Sequence, residues 1–252
     1  MGLVSKLAEF INIPQKCEVG NKIHKKLFYE NSKMSRSDKD TFTKNINRIN
    51  WDYSLKSDNI NIKPYSDDIR EYDEIEFINV NLRSPKKTKR IADIIMRTIP
   101  YPMLLTFENS NSNEIRLFTG HLRINKADNS KNTIDEFFFT DWIDLDNLDE
   151  NDIALFEDLK LQNLNFTNFY TFYNCIIENI IRYNVSKISD ISSDIGVYEL
   201  KDIYDEINNI NNQIELIKGK MKNETQFNRI VKMNIEINGL KDEREKLRGR
   251  LG

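Results

Sequence analysis

The chain has 252 residues, of which 39% are hydrophobic and 10% aromatic, and its formal net charge is -3. These fractions argue against a disordered chain, and the weak negative charge argues against a protein that coats nucleic acid through bulk charge. The two cysteines, Cys17 and Cys175, lie far apart and outside any CxxC pair, and no segment is long and apolar enough to cross a membrane. We therefore expect a reduced, cytoplasmic protein with no disulfide framework and no membrane association.

The first part of the chain predicts one helix followed by two short strands. Residues 35–50 (SRSDKDTFTKNINRIN) place apolar side chains on one helical face, and Ser35 or Ser37 can cap the first turn. Apolar residues then alternate at 51–55 and again at 60–62. A period of two residues is typical of strands.

The middle of the chain predicts a unit of mixed helix and sheet. Residues 75–82 carry apolar side chains on both faces, which is typical of a strand buried on both sides. A helix at 87–99 follows and ends at prolines, and further strands are predicted at 102–109, 115–125 and 136–143. This order predicts an α+β fold, a mostly antiparallel sheet with helices packed on one face. With a last helix at about 166–184, the α+β body spans roughly residues 10-185.

The last fifty residues carry the clearest pattern. Apolar residues recur every three or four positions at 203–221 and at 233–251, and the polar stretch KNETQ at 222–226 separates the two runs. Such a narrow apolar seam is typical of a coiled coil. The pattern predicts an antiparallel helical hairpin at residues 198-250, following the α+β body.

The polar break decides how these helices pair. Asn223 can end one helix and Thr225 can cap the next, which favours two helices that fold on each other within one chain. No proline or glycine in the break enforces a turn, so one continuous helix that pairs with a second copy, and therefore a homodimer, stays open.

Catalytic motifs are missing from the sequence. The histidines, His24 and His121, lack the spacing of metal ligands, and the eight glycines form neither a dinucleotide-binding motif nor a P-loop. We therefore predict no catalytic, cofactor-binding or metal-binding residue, and a protein without enzymatic activity is favoured. The alternative is a divergent metal-dependent nuclease subunit, because such enzymes gather carboxylates on a sheet. Its candidate carboxylates are Asp73, Glu74, Glu76 and Asp141.

Two groups of basic residues are candidates for contact with a partner or with a nucleic-acid backbone. One surrounds the break in the hairpin, and its members are Lys218, Lys220, Lys222, Arg229 and Lys232. The other lies at the start of the helix at 87–99, and its members are Lys86, Lys87, Lys89 and Arg90. Lysine-rich helical faces also serve solubility alone, so both groups stay candidates.

Six segments, in order, are KIHKKLFYEN, INRINWDYSLKSDNINI, YDEIEFINVNL, IPYP, FFFTDW and ETQFNRIVKMNIEINGLKDEREKL. Together they resemble a bacterial family catalogued as a domain of unknown function, number four-three-nine-one. Its members are often encoded beside helicases and DNA methyltransferases, in loci that look like restriction or anti-phage systems. The resemblance implies an accessory role and carries over no catalytic residue.

The sequence and the resemblance together predict a non-enzymatic adaptor in a helicase-containing anti-phage or restriction-like complex. Its hairpin would contact a partner protein, such as the helicase or another defence-system subunit, or the backbone of DNA or RNA. No cofactor is implied.

Overall fold

The fold is described by a computed structural model that covers residues 6–124, 132–191 and 195–252. Contacts between Cα atoms divide the chain into two compact units, Met1–Ile180 and Ile181–Gly252. The first unit holds the sheet, and the second holds the C-terminal helical pair.

Nine strands are found in the described ranges. They are β1 (Glu18–Lys22), β2 (Ile46–Lys56), β3 (Tyr65–Ser66), β4 (Glu71–Tyr72), β5 (Glu74–Leu82), β6 (Met103–Asn109), β7 (Glu114–Ile124), β8 (Asn132–Phe139) and β9 (Ile143–Asp144). The main sheet has the order β1-β2-β5-β6-β7-β8, with β9 beside β7, while β3 and β4 form a separate two-stranded sheet. Neighbouring strands are antiparallel except β5 and β6, which are parallel. The predicted α+β fold with a mostly antiparallel sheet is confirmed.

Nine α-helices accompany the sheet in the part of the chain that the structure describes. They are α1 (Lys6–Ile11), α2 (Lys25–Asn31), α3 (Arg36–Asn45), α4 (Ser57–Ile60), α5 (Thr88–Thr98), α6 (Glu150–Asp158), α7 (Phe169–Ser186), α8 (Val197–Met221) and α9 (Phe227–Arg248). Single 3-10 turns lie at Gln15–Cys17 and Leu161–Asn163.

Helices cover both faces of the sheet, whereas the sequence predicted helices on one face. Phe118 of β7 belongs to a buried cluster with side chains of α2, α3 and α5. Its neighbour Thr119 points to the opposite face, because side chains alternate along a strand. There its hydroxyl donates to the Tyr173 hydroxyl of α7 at 2.8 Å. A central strand with two covered faces needs apolar residues on both, which explains the pattern of β5.

The predicted helix at 35–50 is correct only in its first ten helical residues. Ser35 caps α3 through a capping box with Asp38. The helix ends at Asn45, and β2 starts at Ile46. A register shift between Ile46 and Arg48 adds one residue to this strand, so Ile46 and Ile49 both enter the same buried cluster. The bulge therefore produces a three-residue spacing that imitates a helix.

The strand predicted at 60–62 is also wrong. Ser57–Ile60 forms a single helical turn, and Asn61 follows with a left-handed backbone at φ 57°. An asparagine tolerates this conformation better than most residues. The turn ends β2 and leaves Ile60 and Ile62 buried without a strand.

The predicted helical hairpin is confirmed as two helices packed together, α8 and α9. Arg244 of α9 donates to Asn211 of α8 at 3.1 Å, and Arg250 pairs with Glu199 at 3.5 Å. As residue numbers rise along α9 their partners fall along α8, so the helices are antiparallel. Buried isoleucines of α8 repeat at three and four residues from position 203 to 217, as the seam predicted.

The turn between the two helices is capped differently from the prediction. Gln226 stands at the N-cap of α9 without a side-chain cap. Instead, the Glu224 carboxylate accepts hydrogen bonds from the backbone N–H groups of Thr225 and Gln226, at 2.9 and 3.0 Å. These bonds lower the pKa of Glu224, with a smaller contribution from Arg229. The Glu224 carboxylate thus accepts hydrogen bonds from backbone N–H groups at the start of α9, where the sequence predicted a cap by the Thr225 hydroxyl.

Candidate functional site

Some basic residues of the hairpin turn form ion pairs with acidic residues, and others do not. Lys218 pairs with Glu215 at 2.7 Å, and Arg229 pairs with Glu224 at 3.4 Å. The remaining cations, Lys220, Lys222 and Lys232, are exposed and have no ion pair within the described ranges. We call these three residues the free lysines. They leave a local positive charge at the turn although the whole chain is slightly acidic.

The outer side of α9 carries an apolar stripe. Phe227, Val231 and Ile235 follow each other at intervals of four residues, so they share one helical face. Their exposed fractions are 76%, 38% and 67%. The helix buries Ile237 and Leu247 on its other side, toward α8. Three large apolar side chains in a row on a solvent face are unusual for a surface that has no partner.

The basic group at the start of α5 is partly structural. Arg90 forms two hydrogen bonds with the Asp38 carboxylate, both at 2.8 Å, and a third with Asp93 at 2.7 Å. This paired geometry ties α5 to α3 and holds the pKa of Asp38 well below its usual range. The ammonium of Lys89 lies 4.3 Å from the centre of the Phe139 ring. Arg90 and Lys89 are therefore already engaged within the protein.

The other two basic residues of this group are more accessible. Lys86 and Lys87 are both exposed. Lys87 precedes α5 with a left-handed backbone at φ 61°, and its ammonium lies 3.4 Å from the Thr41 hydroxyl. The structure thus places this basic group on the body, whereas the free lysines lie in the second compact unit.

The four nuclease candidates do not converge. Glu76 pairs in register with Met103 near the beginning of β6. Asp141 contacts Arg116 at 3.7 Å, and Arg116 is in register with Phe107, four residues further along β6. At a rise of about 3.3 Å per residue, the backbone positions of Glu76 and Arg116 lie about 13 Å apart along the strand. Asp141 is also 97% exposed at its side chain.

The two remaining carboxylates lie at the beginning of β5. Glu74 forms an ion pair with Lys56 at 2.9 Å, and Asp73 is exposed. Among the described residues there is no group of three or more histidine, cysteine, aspartate or glutamate side chains that could hold a metal ion.

Glu76 is nevertheless unusual, because it is a buried acid beside a cavity. Its side chain is 1% exposed. One carboxylate oxygen accepts a hydrogen bond from the Trp51 indole at 2.5 Å, and the other accepts from the Ser54 hydroxyl at 3.1 Å. Burial raises the pKa of Glu76 to about 7, although the bond from Trp51 acts in the opposite direction. The adjoining cavity has a volume of about 250 Å³.

A polar cleft of about 290 Å³ lies on the opposite face of the sheet. There Asn79 donates to the Glu108 carboxylate at 2.6 Å, and the backbone N–H of Lys6 donates to the same oxygen at 2.9 Å. Asn50 and Asn79 are at least nine-tenths buried. Their side-chain carbonyl oxygens have no hydrogen-bond partner among the residues that the structure describes. This is polar surface within the sheet, built from three neighbouring strands.

A family model for a domain of unknown function, DUF4391, matches residues 11–243. The chain belongs to the DUF4391 family. The match spans the sheet and nearly all of the helical pair, so the DUF4391 region comprises both compact units. No curated protein and no solved structure matches the chain. In the described ranges, no helix has the length and apolar character needed to cross a bilayer.

Within the DUF4391 region, sequence reasoning named Glu76 as a candidate carboxylate but missed its surroundings. Trp51 and Ser54 lie on β2, more than twenty residues away in sequence, and reach Glu76 only because β2 pairs with β5. The available signal was a glutamate inside a strand that carries apolar residues on both faces. Such a residue demands a compensating partner when both faces of its strand are buried.

His121 of this DUF4391 protein also lies in a setting that the sequence did not indicate. Its Nδ1 lies 3.1 Å from the Tyr72 hydroxyl, and its ring packs against Tyr170 and Tyr173. His121 is therefore a buried residue of an aromatic cluster on the sheet, and its ring is engaged in these contacts. His24 stands at the N-cap of α2 and is exposed.

Proposed function

We propose that this DUF4391 protein is a non-enzymatic accessory subunit of a helicase-containing, restriction-like or anti-phage complex. Its helical hairpin is the element that docks a partner protein of that complex. The apolar stripe of α9, next in sequence to the free lysines, is the observation that carries this proposal. The helicase context rests on the family resemblance alone.

A protein partner suits this surface better than a nucleic-acid backbone does. Phosphate groups are recognised by cations and backbone N–H groups and gain little from exposed phenylalanine and isoleucine side chains. Protein interfaces combine an apolar centre with a charged rim. Phe227 and Ile235 supply such a centre, and the free lysines supply a basic rim. The partner surface is therefore apolar with acidic residues around it.

The test uses the full chain and the purified products of the neighbouring genes. The variant carries Phe227→Asp with Ile235→Asp, and the control is Ile153→Asp on α6, where the isoleucine is 56% exposed. Burying one such apolar side chain is worth about 1.5–3 kcal/mol. We therefore expect the variant to weaken binding by about a hundredfold or more, and the control to bind as the parent does.

Four results would contradict this function. If the parent protein binds none of the neighbouring gene products, the proposed partner does not exist among them. If the variant binds a partner as tightly as the parent does, the docking surface lies outside the apolar stripe. A concentration-dependent dimer in sedimentation experiments, abolished by the variant, would make a second copy of this chain the occupant. Salt-dependent binding of a duplex DNA that is lost in Lys220→Glu with Arg229→Glu, but kept in the stripe variant, would assign the hairpin to nucleic acid.

A further inference from the structure

The cavity beside Glu76 combines apolar walls with one acid. Its walls come from four segments of the first compact unit: Leu27 of α2, Trp51 of β2, Ile78 of β5 and Ile99, which follows α5. Thr98 adds a hydroxyl, which donates to the backbone of its own helix at 2.6 Å. Glu76 is therefore the one lining side chain that carries a formal charge.

Glu76 retains unused acceptor capacity. A carboxylate has about four lone-pair sites, and the protein fills two of them with Trp51 and Ser54. Lys56, a nearby cation, is paired with Glu74 at 2.9 Å. Within the described ranges Glu76 itself forms no ion pair, and Lys56 acts on its charge only from a distance while it is paired with Glu74. Such a group is costly for the fold unless something compensates it.

The cavity is also open to ligands. Leu27 and Tyr101 are 41% and 42% exposed, and both line it. A molecule can therefore pass between α2 and the segment after α5. A volume of about 250 Å³ lies just below the usual range of small-molecule sites, so it suits a compact ligand.

We infer that this cavity binds a small hydrophobic primary amine, with the ammonium group donating to the Glu76 carboxylate and the hydrocarbon part packing against Trp51, Ile78 and Ile99. An ammonium supplies the missing cation and a hydrogen-bond donor at once. A carboxylate ligand is disfavoured, because it would meet both Glu76 and Glu74. The site is independent of the proposed docking function of the hairpin.

The test probe is 2-phenylethylamine, and the readout is the fluorescence of Trp51. The protein contains two tryptophans, so a Trp142→Phe background leaves Trp51 as the single reporter. We expect a saturable change in Trp51 emission. The uncharged analogue 2-phenylethanol, of nearly the same shape, should bind about 10- to 100-fold more weakly, since a hydrogen bond to a charged group is worth about 1.5–3 kcal/mol.

Glu76→Gln should reduce the affinity for the amine by a similar factor, about 10- to 100-fold. The matched control is Glu71→Gln, which removes the same charge from an exposed residue of β4 that lies outside the cavity lining. This control should bind within about threefold of the parent, since a more distant charge is screened by solvent. Thermal unfolding of each variant shows whether it is folded.

A second variant keeps the test decisive if Glu76→Gln does not fold. Leu27→Arg places a guanidinium at the mouth of the cavity, on an exposed helical position where substitutions are tolerated. It should abolish amine binding by repulsion and by competition for Glu76. A peptide, acetyl-Gly-Lys-Gly-amide, distinguishes a protein lysine from a free amine as the source of the ammonium. It should bind more weakly than 2-phenylethylamine, because its backbone is polar.

The inference is overturned if 2-phenylethylamine causes no saturable change, or if 2-phenylethanol binds as tightly. It is also overturned if Glu76→Gln and Leu27→Arg, both folded, retain parental affinity. Tighter binding of the lysine peptide would replace the free amine by a protein ligand. None of these outcomes affects the capture of a partner by the hairpin, so the two proposals fail separately.

Discussion

Replacing Glu76 by glutamine should change how stability depends on pH. The carboxyl group is 1% exposed, and burial raises its pKa to about 7 from an ordinary value near 4.5. Between these two values the folded protein holds a proton that the unfolded chain has released. The free energy of unfolding therefore falls as the pH rises through this window.

The size of the effect follows from the difference in pKa. A shift of one pKa unit corresponds to about 1.4 kcal/mol, so a shift of two to three units corresponds to about 3 kcal/mol. The contribution of a protonated Glu76 is fully present below pH 4.5 and is lost as the pH passes 7. Glutamine cannot ionise but keeps the shape and one acceptor oxygen for Trp51 or Ser54. The variant should therefore gain about 3 kcal/mol relative to the parent between pH 4.5 and pH 8.

Urea denaturation of both proteins at pH 5, 6, 7 and 8 measures this difference. Subtracting the two curves removes the titration of other groups, such as Asp38, whose lowered pKa acts below this range. Glu71→Gln is the control, because it removes an exposed carboxylate of β4 that does not line the cavity. A constant difference between Glu76→Gln and parent across these pH values would refute the raised pKa. A difference that grows in the opposite direction would mean that Glu76 is ionised and stabilised in the folded protein.

Three further changes test the fold. Tyr173→Phe should lower the free energy of unfolding by about 2–4 kcal/mol, because buried groups on β6 and β7 lose the hydroxyl to which they are hydrogen-bonded. The control is Tyr170→Phe, since the Tyr170 hydroxyl has no hydrogen bond among the described residues, and it should lower the free energy of unfolding far less in the same urea titration. Ser35→Ala should lower the free energy of unfolding by about 1 kcal/mol, because the capping box of α3 is lost. An equal loss of stability in Ser37→Ala would contradict the assignment of Ser35 as the cap. Gly120→Ala should lower stability by about 1–3 kcal/mol, since its Cβ would overlap a backbone carbonyl of β8; a parental melting temperature would disprove this close approach.

Local patterns were sufficient where an element depends on its own side chains. The strand at Glu74–Leu82 and the helix at Thr88–Thr98 agree with their predictions to within a residue or two. Local patterns fail where a partner strand determines the structure of a segment. At Ile46 and Ile49 a bulge in a strand produced the spacing of a helix, because the pairing of β2 with β5 outweighs local propensity. The cap of α9 comes from Glu224, whose carboxylate reaches two backbone donors that the sequence assigned to a hydroxyl.

The candidate sites divide in the same way. The helical seam can be found in the sequence, because residues three and four apart share a helical face whatever surrounds them. The sequence also shows the basic group around the hairpin turn, but only the structure separates the free lysines from the paired Lys218 and Arg229. The role of Arg90 could not be found, since its bonds to Asp38 join two helices that are more than fifty positions apart in sequence. A basic residue that the sequence suggested for contact with a partner is thus largely committed to the fold.

By itself, the sequence predicted an α+β unit followed by two helical runs that share an apolar seam, and it favoured a hairpin over one continuous helix. Periodicity encodes which face of each element is apolar, and the polar break encodes the turn. Only the tertiary structure decided that helices cover both faces of the sheet, and that Glu76 is buried beside a cavity with Trp51 and Ser54. The physical reason is that burial and pKa depend on neighbours from distant strands, and a one-dimensional pattern does not specify which strands become neighbours.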